Sequence, residues 1–451
     1  MKRFFHYTLL LTILTILPVL VTQYANAQEQ DVENSDWSVP REISLGTLGD
    51  RPVLQRAPNG DLMAVYNKWV GNTQDGRYEP YYTIRKNGST TWSAPALINY
   101  QPNTSTGKTV YFIFDSASNA HAVWVEDQGS PLTSRVRYAN KTPNGAWTNG
   151  NTLYTDDFGI APIEQARIAA APNGNLYVVW DTFENVYYKR STNGGTSWSA
   201  ETIVQPGGGR LPAMVADANS NIHIAWEQQS TAGQFVISYA RIANGSTTPS
   251  TPVVINSDAD KINDKFFYNQ PEIIVTATHI HVSYIYVNGA DEQEQRVFVK
   301  RCSLSQDCTQ QSNWTNGSNA SGGFLGVNNN APSSILNSLS HDPQTDIVHG
   351  FYHGFYDPKN PETIPSERLW LVDSCSSGNW SKVKPDSVEL PGQSESTRHT
   401  RPSVVVYGDT AHLVYESVQT QGVEDIYKIY YTEAPVKCRV ADLYLPIIRA
   451  K

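Results

Sequence analysis

Hydrophobic and polar positions alternate along the chain in short runs, and the runs recur. "RAPNGDLMAVY" ends at Tyr66, "SASNAHAVW" at Trp124, "AAPNGNLYVVW" at Trp180 and "ADANSNIHIAW" at Trp226. "TATHIHVSY" follows at Tyr284, "DPQTDIVHGFY" at Tyr352 and "YGDTAHLVY" at Tyr415, so successive aromatics lie 58, 56, 46, 58, 68 and 63 residues apart. Period-two alternation over so few residues predicts a half-buried strand, and Gly, Asn, Asp or Pro before each run predicts a turn. About 14 residues upstream lies an earlier strand, often opened by proline: Pro52, Pro212, Pro271 and Pro402. A third strand follows each aromatic ("YYTIRK", "VYYKRS", "FVISYAR", "RVFVKR", "RLWLVD", "IYKIYYT"). A fourth follows a Trp-marked turn at Trp92, Trp147, Trp198, Trp314 or Trp380.

Four short antiparallel strands repeated at this spacing predict the blades of a β-propeller. "DWSVPREI" at Trp37 matches "TWSAPALI" at Trp92, so the chain opens on a lone fourth strand, and the last unit stops after its third strand near Thr432. The expectation is one all-β domain over residues 37–435, with seven four-stranded blades. The N-terminal strand would pair with the last blade and leave no free edge.

Composition agrees: 39% hydrophobic, 17% charged and 11% aromatic residues in a chain of 451 exclude a disordered, collagen-like or disulfide-scaffold protein. A formal charge of −9 argues against nucleic acid as a partner. Lys2 and Arg3, the apolar run from Leu9 to Val21 and Ala25-Asn26-Ala27 have the order of a secretory signal ending at Ala27. Residues 28–36 then form a linker and 436–451 a C-terminal tail, and no later segment is apolar enough to span a bilayer. The protein is expected outside the cell, secreted or at the surface, where disulfides form. Cys302 and Cys308 suit a local staple, which would leave Cys375 and Cys438 to each other. Four cysteines allow three pairings, and the sequence does not choose.

Ser191-Thr192-Asn193-Gly194-Gly195-Thr196-Ser197-Trp198 resembles the Asp-box of the sialidase superfamily, with Asn193 in place of the usual aspartate, and "RKNGSTTW" ending at Trp92 is a second, degenerate copy. The resemblance implies a propeller and a glycan ligand. The box itself is a turn between third and fourth strands, capped by a short polar side chain. Catalytic members of the superfamily have six blades, three arginines that clamp a substrate carboxylate, a Tyr nucleophile assisted by Glu, and an Asp acid/base. By that resemblance Arg51, directly before Pro52, stands near the place of the first arginine and Asp75 near that of the acid/base. The third arginine and the Tyr–Glu couple have no matching motif.

In a meandering blade, the segments leading into first strands share a face with the loops between second and third strands. That face holds Arg51, Lys108, Arg167, Arg210, Arg398 and Arg401, with Asp75, Asp127, Asp181, Glu184, Glu227, Tyr356, Glu416 and Asp425. Arginines suit an anionic sugar because guanidinium binds carboxylate through paired, charge-assisted bonds. Arg51, Arg167, Arg210 and Arg401 are the substrate-binding candidates; Asp75, Glu227 and Tyr268 are the catalytic ones. Charges at such a mouth also occur as plain structural pairs.

His121, His223, His281, His349 and His412 each precede a second-strand aromatic by three residues, which marks them as scaffold. His353 and His399 belong to the candidate face, where a His-plus-Tyr polysaccharide lyase site is a third reading. Asp258, Asp260, Asn263 and Asp264 offer oxygen ligands for Ca²⁺, but without the Gly and Glu of an EF-hand loop a solvated acidic turn explains them better. No other cofactor is implied. The functional expectation is a propeller that recognises extracellular carbohydrate or glycoprotein, with a retaining exo-α-sialidase or a protein-interaction propeller as alternatives. The sequence leaves the oligomeric state open.

Overall fold

The structure is a computed structural model. It describes residues 37–436 except 47, 72–75, 99–104, 129–132, 157–162, 183, 231–234, 257–265, 289–294, 316–317, 320–336, 356–366, 374–385, 388–396 and 422–423. The signal segment, the linker, the tail beyond Val436, Asp75, the acidic loop, Tyr356, Cys375, Trp380 and Cys438 lie outside the described residues.

The chain opens with β1 (Arg41–Glu42). The first complete sheet follows as β2 (Gly49–Arg56), β3 (Leu62–Val70), β4 (Arg77–Arg85) and β5 (Ala96–Leu97). The second is β6 (Ser105–Phe114), β7 (Ala120–Gln128), β8 (Thr133–Lys141) and β9 (Asn151–Asp156). The third is β10 (Ala166–Ala170), β11 (Leu176–Asp181), β12 (Asn185–Ser191) and β13 (Thr202–Pro206). The fourth is β14 (Gly209–Ala216), β15 (Ile222–Gln229), β16 (Phe235–Ile242) and β17 (Val253–Val254). The fifth is β18 (Phe266–Val275), β19 (His279–Asn288), β20 (Gln295–Ser303) and β21 (Ser318–Asn319). The sixth is β22 (Asn337–Asp342), β23 (Ile347–Phe355), β24 (Glu367–Asp373) and β25 (Asp386–Ser387). Last come β26 (Thr397–Tyr407), β27 (Thr410–Gln421) and β28 (Glu424–Pro435).

Each sheet is an antiparallel meander, and among the described residues there are seven four-stranded sheets. The seventh has the order β1-β28-β27-β26, with Arg41 opposite Tyr431 and Glu42 opposite Tyr430. The fold is a single all-β propeller of four-stranded antiparallel blades. First strands of consecutive blades lie side by side, and β26 also neighbours β2. There the Leu54 N–H donates to Ser403 Oγ at 2.9 Å.

The core lies between blades rather than at one centre. Tyr66, Trp124, Trp180, Trp226 and Tyr284 are wholly buried, and Tyr415 is buried too. The tryptophan of one blade meets the third-strand tyrosine of the blade before it, edge to face: Trp147 on Tyr82 at 5.7 Å, Trp198 on Tyr138 at 5.0 Å and Trp314 on Tyr239 at 5.1 Å. Trp92 meets Tyr431 of the seventh blade in the same way at 5.0 Å. Such pairs add about 1 kcal/mol each to the area they bury.

Three of the five repeated histidines serve this seam. The Nδ1 of His121, His223 and His412 lies 2.8, 2.7 and 2.9 Å from the hydroxyls of Tyr138, Tyr239 and Tyr431. Each histidine thus fixes a ring that receives the next blade's tryptophan. On the same side of the molecule, Asn193 Oδ1 accepts from the Ser197 N–H (2.9 Å) and Ser191 Oγ from the Gly195 N–H (2.9 Å), which closes the turn before β13. In the fifth blade a Cys302–Cys308 disulfide closes the corresponding turn, and Trp314 Nε1 donates to the Cys308 carbonyl at 2.9 Å. Val436 remains part of the propeller: it is buried, and its N–H donates to the Asp409 carbonyl at 2.6 Å.

Candidate functional site

Five first strands begin with a bulge. The register slips between Asp50 and Val53, Lys108 and Tyr111, Arg210 and Ala213, Asn269 and Glu272, and Thr400 and Ser403. Within each slip one residue takes the left-handed region: Arg51 (φ 53°), Thr109 (27°), Leu211 (48°), Gln270 (50°) and Arg401 (50°). None is glycine, and four of them precede proline, which favours extended backbone at the residue before it. Such a conformation costs on the order of 1–3 kcal/mol and persists only where its surroundings enforce it. At two of the five, Leu211 and Arg51, the backbone meets a carboxylate one residue beyond a second-strand aromatic. Asp181, after Trp180, accepts from the N–H groups of Glu164 and Gln165 (both 3.0 Å) in its own blade and of Leu211 (2.8 Å) in the next. Glu416, after Tyr415, accepts from Thr400 Oγ1 at 3.1 Å and faces the Arg51 N–H at 3.4 Å.

The bulges surround one mouth of an axial cavity of about 1190 Å³, lined by all seven first strands. A bulge adds a residue to one strand and re-aims the next side chains, so charges collect at this rim. Arg51 is the most open, with 45% of its side chain exposed and Nε 3.5 Å from Asp50 Oδ2. Arg401 reaches across to Asp50 of the first blade and lies 3.2 Å from Glu416 Oε2. Arg210 stands opposite Glu227 in register, with Nη2 3.0 Å from Oε1 and its guanidinium 4.8 Å above the Phe235 ring. Arg167 is deepest: its guanidinium lies 4.5 Å over Tyr111, and Nη2 is 3.3 Å from Glu272 Oε1, two blades away.

The buried carboxyls hold their protons unusually well. Burial pushes Glu227 up to about 7 against the pull of Arg210, and Asp181 up to about 6 despite its backbone donors. Glu272 is raised by burial too, opposed by Arg167. Arg167, Glu164, Glu416 and Tyr78 all lie within electrostatic reach of Arg51.

Arg51, Arg167 and Arg401 thus line the cavity, Arg210 turns to Glu227 and the Phe235 ring instead, and each of the four has a carboxylate beside it. Glu227 is 1% exposed and faces Arg210 rather than open space. Tyr268 lies in β18, two residues before Gln270, with its side chain outside the description; Asp75 is outside it altogether. The side chains of Lys108, Arg398 and His353 are likewise outside it. His399 is a correction: it is 5% exposed, its ring 4.9 Å edge-on to Tyr415, and burial lowers it to about 4, so it packs the core rather than lining the face. Asp127 binds Ser134 Oγ at 2.6 Å. Among the described residues no group of three or more His, Cys, Asp or Glu is arranged for a metal.

Sequence reasoning missed Asp50, Glu164, Glu272, Tyr78 and Tyr111. For Glu272 the usable signal was its place, one residue after Pro271, where Val53 follows Pro52 and Ser403 follows Pro402.

No protein-family profile and no curated protein matches the chain. Among solved structures it aligns with a polysaccharide lyase, a PL25 ulvan lyase, over 88% of this chain and 97% of that one, at 9% identity and a TM-score of 0.55. The two share the propeller fold. The phage phi92 endosialidase aligns over 89% of this chain and 69% of its own (9% identity, TM-score 0.48). The NanB sialidase of Streptococcus pneumoniae aligns over 89% and 70% (9% identity, TM-score 0.46). No described helix is long and apolar enough to cross a membrane.

Proposed function

We propose that the protein is a secreted propeller that binds anionic extracellular glycans at the bulge-bearing mouth of its axial cavity. The observation that carries this is the convergence of Arg51, Arg167 and Arg401 from three blades on one cavity, with 45% of the Arg51 side chain exposed. Guanidinium groups around a concave mouth suit a carboxylate-bearing sugar, and Tyr111 supports the Arg167 guanidinium from beneath. The strained bulges support the reading, because left-handed non-glycine residues cluster where function is built. So does the fold shared with an ulvan lyase, a polysaccharide-active protein. In this reading the seven sheets form one ring that β1 closes, and Glu227 and Glu416 position Arg210 and Arg401.

A retaining exo-α-sialidase is the second reading, favoured by Arg51 standing directly before Pro52 at the start of the first blade. Asp75 would then be the acid/base and Tyr268, assisted by a carboxylate such as Glu227, the nucleophile. Binding is preferred because the arginines are already held by acidic partners.

The test is a glycan array of sialosides, polyuronates and neutral glycans, probed with mature protein and Arg51→Ala, beside fluorogenic sialosides and ultraviolet detection of unsaturated uronate. Retention of anionic glycans that weakens at least ~10-fold in Arg51→Ala is expected, since a charge-assisted bond contributes about 1.5–3 kcal/mol. Silence on every anionic glycan, or unchanged binding by the variant, refutes the reading and favours a protein partner. Sialoside turnover would establish the second reading.

A further inference from the structure

Inside the rim, Arg167, Tyr111 and Glu272 form a group that the sequence never brings together. Arg167 Nη2 meets Glu272 Oε1 at 3.3 Å, a long contact for a guanidinium–carboxylate pair. The flat face of the guanidinium is covered by Tyr111 at 4.5 Å. Arg167 Nε has no hydrogen-bond partner among the described residues. All three residues line the axial cavity, and 30% of the Glu272 side chain is open to it. A guanidinium has five donors and takes planar carboxylates two at a time. This one has a ring beneath it, one loose acidic contact and an unused edge.

We propose that Arg167 is the receptor for the carboxylate of a uronate residue, and that Glu272 is a built-in competitor that must take up a proton when that carboxylate binds. The proposal rests on the glycan reading above and gives it a substrate class and a pH dependence. Two ionised carboxylates on one guanidinium repel, and the cheapest relief is for one to become neutral. Glu272 is the one prepared for it, because burial already favours its protonated form. Once protonated it donates its O–H to the arriving carboxylate instead of opposing it.

The charged surroundings are few. From β10 comes Arg167 itself, with Glu164 just before the strand. From β6 comes Tyr111, whose phenol is raised by burial and by Glu272 and does not titrate in the relevant range. β14 contributes Arg210, engaged with Glu227 at 3.0 Å. β22 contributes His341, turned to Asp346 at 2.9 Å. Arg51 and Asp50 of β2 and Arg401 of β26 lie at the rim.

The sign follows from linkage. The complex binds one proton more than the separate partners, so affinity falls as pH rises through the Glu272 pKa of the free protein. It levels off above the pKa in the complex, with a limiting slope of about tenfold per pH unit.

The experiment is titration calorimetry of the full protein with tri-galacturonate between pH 5 and 8, in two buffers of different ionisation enthalpy. We expect uptake of up to one proton per ligand and Kd weakening toward tenfold per pH unit within that window. Glu272→Gln should abolish both and bind at least tenfold more tightly at pH 8. Binding without proton uptake by the unmodified protein, or an unchanged slope in Glu272→Gln, overturns the inference and leaves the glycan reading standing. No binding of tri-galacturonate by either protein at any pH overturns the uronate assignment, whereas the glycan reading falls only if every anionic glycan of the array is silent as well. Should Glu272→Gln fail to fold, the proton count on the unmodified protein still decides.

Discussion

The seam between the second and third blades makes the sharpest quantitative prediction. Gly194 and Gly195 both have positive φ, 66° and 86°, in the turn before β13. A Cβ on Gly194 would meet nothing within 4 Å; on Gly195 it would fall 2.8 Å from Tyr138 Cε1 and closer still to the phenol oxygen. Tyr138 has no room to retreat: it is 1% exposed, held by His121 at 2.8 Å and met by Trp198 at 5.0 Å. Gly194→Ala should therefore cost only the left-handed backbone term, about 1 kcal/mol. Gly195→Ala adds an overpacking term of about 1–3 kcal/mol, for a total near 3 kcal/mol. With an unfolding entropy of about 2.1 cal/mol/K per residue over roughly 400 residues, 1 kcal/mol moves Tm by about 1 °C. Calorimetry should thus find a loss of about 1 °C for Gly194→Ala and about 4 °C for Gly195→Ala. Tyr138→Phe, which removes the atom struck first, should shrink the second loss. Equal losses for the two alanines, or strict additivity with Tyr138→Phe, would refute this account of the seam.

Three further outcomes follow from the packing. Replacing Cys302 and Cys308 together by serine opens a loop of six residues' separation and should cost about 2 kcal/mol by chain entropy, seen as a lower denaturant midpoint together with changed Trp314 fluorescence. Burial lowers His281 to about 3 and His349, His399 and His412 to about 4. Below an unfolded pKa near 6.5 the unfolded chain binds protons that the native state refuses, so these histidines should lower stability from about pH 6.5 toward 4, by up to ~1.4 kcal/mol per pH unit each, partly offset by Glu227 and Asp181, whose raised values act in the opposite sense; imidazole NMR signals that titrate near pH 6.5 in the folded protein would contradict their burial. Deleting residues 37–46 removes β1 and the Trp37 edge contact with Phe351 at 6.0 Å, leaving β28 as an unpaired edge. Light scattering should then reveal concentration-dependent association that the intact chain lacks.

The scaffold was legible because its signal is periodic. Tyr66, Trp124, Trp180, Trp226, Tyr284 and Tyr415 fall where alternation puts them, and His121, His223 and His412, three of the five repeat histidines, prove to be struts for third-strand tyrosines. The site was legible only as a face. Each bulge inserts one residue, and a shift of one exchanges the two sides of a strand; nothing in "RPV", "TVY" or "QPE" announces that Arg51, Thr109 or Gln270 turns left-handed. Asp181, Glu227 and Glu416 read as loop carboxylates but lie in strand ladders, where Asp181 and Glu416 meet bulge backbone. Arg167 and Glu272 are 105 residues apart, and only the placement of their blades about one cavity makes them neighbours.

The pairing of β1 with β28 also sets an order of events in time. Arg41 is made nearly four hundred residues before Tyr431, its partner. On the ribosome β1 must therefore wait, unpaired, while every intervening sheet emerges. Joining ends so far apart carries a large loop entropy if the chain between them is loose, and almost none once the blades between have stacked and brought them together. The last hydrogen bonds to form are then those that report a complete chain. A chain cut short at any internal point lacks β28 and leaves β1 without its partner strand.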